Sequence, residues 1–370
     1  MLERDELAAW LRLLETPGVG LGTARRVLAA FGSPEAVFDA GTAARRALLG
    51  PEAASALETP PETLPALLEA TWRWLAESSD APRHVLTLGD PAYPSAWLET
   101  ADPPLLLYAI GRIELLRAPA IAIVGSRNPT PQGAENARAF ARALGDAGLT
   151  VVSGLALGID GAAHDGALGS AGSTVAIVGT GLDRVYPKRH LALARRIAHD
   201  GLIVGEYALG TPPLAPNFPR RNRLIAGLAR GTLVVEAALQ SGSLITARMA
   251  VEAGREVFGI PGSIHSPQSR GCHALIRQGA KLVETAAHVL EELRLDAPAS
   301  ACGTDAGGAA SAGPRDPVLE ALGHDPVTLD ALAARTGWPP AELSAHLLGL
   351  ELAGEVARLP GQLFQRLVRT

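Results

Sequence analysis

The chain reads as an α/β protein: a parallel-sheet core, preceded by a helical domain and followed by a winged helix. Three observations predict this. Residues 119–293 alternate short apolar strands with helical segments without interruption. Residues 1–80 read as helices, with residues 7–14 apolar on a helical period. Residues 317–370 read as three helices and then a hairpin around Pro360-Gly361. Strands that are apolar along their whole length belong to parallel sheets covered on both faces. A length of 370 residues allows two or three domains and a sizeable core.

Composition narrows the function. Hydrophobic residues make up 47% and charged residues 19%, as in a globular protein in water. The net charge is −5, so any site for a polyanion has to be a local patch. The basic residues are arginines except for Lys188 and Lys281. The two cysteines, Cys272 and Cys302, lack zinc-site spacing, and a reducing cytoplasm is the simplest setting for them. No signal peptide, membrane insertion, metal site or cofactor motif is expected.

In order, the chain begins with a helical domain over residues 1–80. Its Pro17-Gly18-Val19-Gly20 turn between helical patterns is like a helix-hairpin-helix or SAM-type unit. Such a turn either packs tightly or faces a phosphate with its backbone N–H groups. Residues 81–118 contain two short strand-like runs, 84–88 and 105–108, punctuated by prolines. The core domain is placed at 81–295. Its strands are expected near 121–124, 150–152, 174–178, 202–204, 233–235, 256–260 and 281–283. An Ala/Gly/Ser-rich stretch over 296–316 reads as a flexible linker. The winged helix follows at 317–370. Its central helices carry few basic residues, which favours a protein-contact or structural role over DNA reading.

Ligands of open α/β sheets bind beyond the carboxyl ends of the strands. There this chain places Gly125-Ser126-Arg127, Ser153-Gly154, Gly179-Thr180-Gly181 and Ser241-Gly242-Ser243. Small turns at helix starts let backbone N–H groups approach phosphate. Ser126, Ser153, Ser241, Ser243 and Thr246 add hydroxyls. Arg127, Arg220, Arg221 and Arg223 add forked donors that match phosphate geometry, and Lys188 extends the stripe. Asn222 stands among the arginines, in a helix expected to start near that residue. Tyr186, Tyr207, Phe218 and Phe258 are candidates for stacking on unpaired bases. The pattern points to nucleic acid. Asp160 with His164, and Glu206 with Glu236, are weaker candidates for acid–base chemistry; no nucleophile triad accompanies them. Asp160 is expected to cap its helix, with His164 as a satisfied partner.

These motifs together resemble the DNA-processing protein A (DprA) family. They are Val124-Gly125-Ser126-Arg127-x-x-Thr130-x-x-Gly133, Ser153-Gly154-x-Ala156-x-Gly158-Ile159-Asp160, Phe218-Pro219-x-Arg221-Asn222-Arg223, Ser241-Gly242-Ser243-Leu244-x-Thr246-Ala247 and Pro261-Gly262-Ser263. The set spans residues 85–293. Gly205 stands where the family often has serine before the glutamate. The resemblance implies an extended Rossmann-like core, a homodimer and no catalytic turnover. It implies binding of single-stranded DNA during natural transformation, protection of that strand, loading of the RecA recombinase and displacement of single-strand-binding protein. By motif match, Arg127 and the Arg221-Asn222-Arg223 group would contact DNA, and the Ser241 turn would hold a phosphate. The alternatives are a phosphoribohydrolase-like nucleotide-processing enzyme and a nucleotide-sensing regulator. The first lacks its usual Pro-Gly-Gly-x-Gly-Thr turn, where Ser241-Gly242-Ser243 stands instead.

Overall fold

In the computed structural model, the described residues are 2–77, 79–295, 316–323, 326–359 and 361–367. Among them, nine strands form one sheet. They are β1 (Arg83–Thr87), β2 (Leu106–Gly111), β3 (Ala120–Val124), β4 (Thr150–Ser153), β5 (Thr174–Val178), β6 (Leu202–Gly205), β7 (Gly231–Val234), β8 (Glu256–Gly259) and β9 (Lys281–Leu282). The spatial order is β1-β2-β6-β5-β4-β3-β7-β8-β9. From β6 to β9 every neighbouring pair is parallel. The two short runs before residue 119 extend the sheet as antiparallel strands, β2 on β6 and β1 on β2.

The strand pleat explains the two-sided core. In β3, Ile121 and Ile123 face one way, against Phe140 and Leu144 of the helix Pro131–Asp146 and against Ala163 of the helix Ile159–Ala167. Ala120, Ala122 and Val124 face the other way, toward the helices Asn217–Leu228 and Ser243–Glu252. Alternate residues of a strand point to opposite faces, so a strand apolar throughout needs helices on both.

Helices between Arg4 and Ala76 pack around Leu7, Trp10, Leu11 and Trp74. Their core runs on into Val85, Leu106 and Tyr108 of the sheet, so this unit is seated on β1 and β2. Residues 316–367 hold the helices Pro317–Leu322, Leu329–Thr336 and Pro340–Leu352. Beside them lies the sheet of β10 (Val327–Thr328), β11 (Val356–Leu359) and β12 (Leu363–Arg366). Phe364, Leu332, Leu343 and Leu347 form its own core. Apart from Asp316, the expected linker lies outside the described residues. Asp316 itself caps the helix Pro317–Leu322 and reaches His346 at 2.6 Å. Cys272 is a buried free thiol, pushed up to about 12 by burial; Cys302 lies outside the described residues.

Candidate nucleic-acid interface

The strand order reverses at β3. The chain steps one way through β4, β5 and β6, then returns to β7 on the other side. A crevice opens where the two loops leaving such a switch point diverge. Here a cleft of about 460 Å³ is lined by Gly125, Ser126, Arg127 and Asn128 after β3 and by Gln240, Ser241, Gly242 and Ser243 after β7. Phe218, Pro219, Arg221 and Asn222 form a further wall, with Asp160, Thr246 and Gln268 completing it.

Each loop is held by contacts the sequence can be read for. Gly125 passes so close to Ile159 and to the Glu236 carbonyl that a Cβ would not fit. The Ser126 amide donates to Glu236 O at 2.7 Å, tying the β3 loop to the β7 loop. The Ser241 and Ser243 hydroxyls meet at 2.7 Å at the start of the helix Ser243–Glu252. Gly242, its N-cap, has no side chain, and the Ser241 hydroxyl instead accepts from the Ser243 amide at 3.3 Å; the start of this helix, its positive dipole end, lines the cleft.

The helix following β3 behaves otherwise. It starts at Pro131 and is capped by Thr130, whose hydroxyl and amide both donate to the Glu236 carboxylate, at 2.6 and 2.9 Å. Burial pushes the Glu236 carboxyl up, while the Thr130 bonds hold it down. This helix end is occupied by protein groups, the Thr130 hydroxyl also accepting from Gly133 N at 3.0 Å.

The arginines divide by helical geometry. The helix starts at Asn217, five residues earlier than expected, because Pro219 sits in its first turn, where a missing N–H costs nothing. Successive residues are therefore turned by about 100° around the axis. Arg220 is exposed. Arg221 points inward, is 4% exposed, and donates to the carbonyls of Gly154 and Ile177. Its Nε donates to Asn222 Oδ1 at 3.1 Å. Burial lowers Arg221 to about 10, opposed by Asp160, and it stays charged at neutral pH. Arg223 turns a third way, to Glu206 Oε1 at 2.7 Å and to Asp102 Oδ2 at 2.8 Å. Asp102 also pairs with Arg25 of the N-terminal helices. Arg223 is thus an ion-pair residue joining three segments, and the expectation of a free phosphate donor does not hold for its guanidinium. The same correction applies to Arg221, whose guanidinium knits the loops after β4 and β5 beneath the cleft.

Ser153 and Gly154 are likewise structural. The buried Ser153 hydroxyl donates to Ile123 O at 2.6 Å. The Gly154 amide donates to Asp160 Oδ2 at 3.1 Å, and its carbonyl accepts from Arg221. Asp160 does not cap its own helix; it also accepts from Ala156 N and so closes the loop before it. Burial raises the Asp160 carboxyl, against the pull of Arg221 and the two amides. His164 is a satisfied core histidine, accepting from Leu155 N at 3.2 Å and meeting Thr174 Oγ1 at 2.7 Å. Lys188 is exposed on a 3-10 turn, outside the cleft lining. The structure thus gathers Gly125, Ser126, Arg127, Arg221, Asn222, Ser241, Gly242, Ser243 and Thr246 in the cleft lining, whereas Ser153, Gly154, Arg220 and Arg223 do not line it. Tyr186 and Phe218 stack at 5.5 Å between centroids next to the cleft, with Tyr186 about half exposed. Phe258 is fully buried. Gln240 and Gln268 carried no motif signal, because polar loop residues of this type are common everywhere. Glu206 and Glu236 answer to different partners and form no catalytic pair. Among the described residues no cluster of three metal-ligating side chains occurs.

Comparison with known proteins agrees with this geometry. The family model "DNA recombination-mediator protein A" matches residues 84–294, and the DprA winged helix domain model matches residues 303–362. The chain belongs to the DNA recombination-mediator protein A family. Protein Smf of Escherichia coli is 42% identical over 302 residues, which is 80% of this chain and 79% of that one. The structure of DNA processing protein A from Streptococcus pneumoniae superimposes with a TM-score of 0.67 at 37% identity, over 78% of this chain and 98% of that one. The DNA processing protein A of Helicobacter pylori, described for its single-stranded DNA binding mode, gives 0.53 at 32% identity, over 57% and 95%. The family is described as a DNA recombination mediator. No helix among the described residues is long and apolar enough to cross a membrane.

Proposed function

We propose that this DprA-family chain binds single-stranded DNA along the carboxyl edge of its sheet during natural transformation, shields it and delivers it to the RecA recombinase as single-strand-binding protein is displaced. The observation that carries the DNA reading is the switch-point cleft. Its rim holds the exposed Arg127, and the exposed Arg220 lies between the lining residues Pro219 and Arg221 in sequence; neither arginine makes an ion pair among the described residues, and the cleft floor ends on the start of the helix Ser243–Glu252. Phosphates would seat on Gly125-Ser126-Arg127 and on Ser241-Gly242-Ser243, with Ser243 and Thr246 behind the turn and Asn222 on the wall. Lys188 would meet the strand beyond Arg220. Bases would stack on the Tyr186–Phe218 pair, whose π-faces accept any base. Arg221, Arg223, Ser153 and Gly154 serve the site by fixing its walls. The family membership and the single-stranded DNA mode of the Helicobacter relative support the substrate class. Recombinase delivery, a homodimer and a cytoplasmic setting complete the proposal on the family's ground.

The test is a fluorescence titration of labelled oligonucleotides, single-stranded and duplex, with the parent chain and with Arg127→Ala. Tighter binding of single strands, weakened by the substitution, supports the proposal. Equal binding of both forms, or an unaffected variant, overturns it. Release of free base from nucleoside monophosphates would favour the phosphoribohydrolase-like alternative.

A further inference from the structure

The helix Pro340–Leu352 is the third of the winged helix and the one such domains present outward. Its sequence is apolar on both sides. Leu343, Leu347 and Leu350 are buried in the domain core. On the other side Ala341, Ala345, Leu348 and Leu352 are exposed, with Leu348 at 57% and Leu352 at 83%. A helix that is hydrophobic all round is normally buried all round. The spacing of the exposed set is i, i+4, i+7, i+11, the alternation of a coiled-coil seam. The positions flanking that seam are Glu342 and Gly349 on one side and Ser344 and Glu351 on the other. The helix contains no lysine or arginine.

This face cannot serve phosphates, because binding them requires positive charge to replace condensed counterions. A second copy of this helix would bring no basic residue to meet Glu342 or Glu351. The complement is a helix with an apolar seam and basic flanks. We propose that the exposed face of Pro340–Leu352 docks an amphipathic helix of a partner protein, one carrying leucine-like residues on a heptad seam and lysine or arginine beside it. The winged helix then acts as a protein-recruiting arm attached to a DNA-binding core. The small Ala341 and Ala345 let the partner backbone come close at one end, and Leu348 and Leu352 supply the anchors at the other.

The test uses the full-length chain and three labelled synthetic helices of two heptads. One has a leucine seam with lysine flanks, one the same seam with glutamate flanks, and one a scrambled seam with lysine flanks. Anisotropy should show the first bound at least tenfold more tightly than either of the others. Leu348→Asp with Leu352→Asp should abolish that preference. These leucines are exposed, so the melting temperature and single-stranded DNA affinity should stay at parent values. As a second variant, Glu342→Lys with Glu351→Lys should reverse the choice toward the glutamate-flanked peptide. Equal binding of the lysine and glutamate peptides would overturn the proposal, as would a reversed-charge variant with the parent's preference. So would loss of DNA affinity in the leucine variant, or a change in its sedimentation, which would place DNA or a second copy on this face.

Discussion

At the scale of single residues, neighbours in sequence do different jobs because a helix turns about 100° per residue. Arg127 and Arg221 make the contrast measurable. Arg127→Ala should weaken single-stranded DNA binding by about 1.5–3 kcal/mol, the range for a hydrogen bond to a charged group. It should leave the melting temperature unchanged, because the side chain is exposed and unpaired among the described residues. Arg221→Ala should instead lower thermal stability. It strips two buried carbonyls of their donor and leaves Asp160 without its nearby cation, a loss of about 3 kcal/mol, or roughly 6–12 °C. Gly154→Ala should do much the same, since its Cβ would fall on the Arg221 guanidinium. Calorimetry of the three variants separates the roles, and an Arg221→Ala protein that melts like the parent would refute the buried-anchor assignment. The sequence could name these arginines but not orient them. Orientation hinged on whether Pro219 stood before the helix or in its first turn, and proline is at home in both places.

His164 offers a pH test at the same scale. Burial holds it at about 3, against about 6.5 in an unfolded chain. As pH falls, the unfolded chain takes up the proton first. The stability contributed by neutral His164 is therefore complete above about pH 6.5 and is lost as pH falls toward 3, at up to about 1.4 kcal/mol per unit. Asp160, raised by burial, works in the opposite sense, so the parent profile should be compared with that of His164→Gln. Denaturant midpoints from pH 7 to pH 4 should fall more steeply for the parent than for the variant. Parallel profiles would mean that His164 is protonated in the fold.

At the scale of elements, continuous apolar runs identified the parallel strands, because only a strand covered on both faces can be apolar throughout. The two strands preceding the parallel set, β1 and β2, were visible as runs, but their place was not. Nothing local distinguishes a connector strand from one that adds antiparallel to β6, since the partner lies about a hundred residues away. The Asp102 network has the same character: Arg25, Asp102, Glu206 and Arg223 come from four segments, and no spacing rule joins them. That network links the N-terminal helices to the cleft wall. Trp97, between β1 and β2, adds a tie from that segment to the same wall helix, donating to Leu224 O at 2.9 Å. By contrast, the winged helix has its own core. Ending the chain at residue 295 should leave a soluble core with single-stranded DNA affinity within a fewfold of the parent by anisotropy. A tenfold loss would show that the winged helix contributes to DNA binding.

At the scale of the whole molecule, a chain with net charge −5 binds a polyanion only if its positive groups are concentrated. The fold does this by topology. Reversal of strand order at β3 brings two small-residue turns and the start of the helix Ser243–Glu252 to a single edge, and the Asn217–Leu228 helix carries the exposed Arg220 between the lining residues Pro219 and Arg221 in sequence. Contacts made chiefly to phosphates carry little sequence information and release counterions. The most direct measurement is the affinity of the full-length chain for a single-stranded oligonucleotide at several salt concentrations, with Arg127→Ala/Arg220→Ala alongside. The parent's log affinity should fall linearly with log salt, and the double variant should bind more weakly with a slope shallower by about two phosphates. Affinity that does not respond to salt, or a double variant with the parent's slope, would contradict the assignment of this edge as the DNA-binding surface.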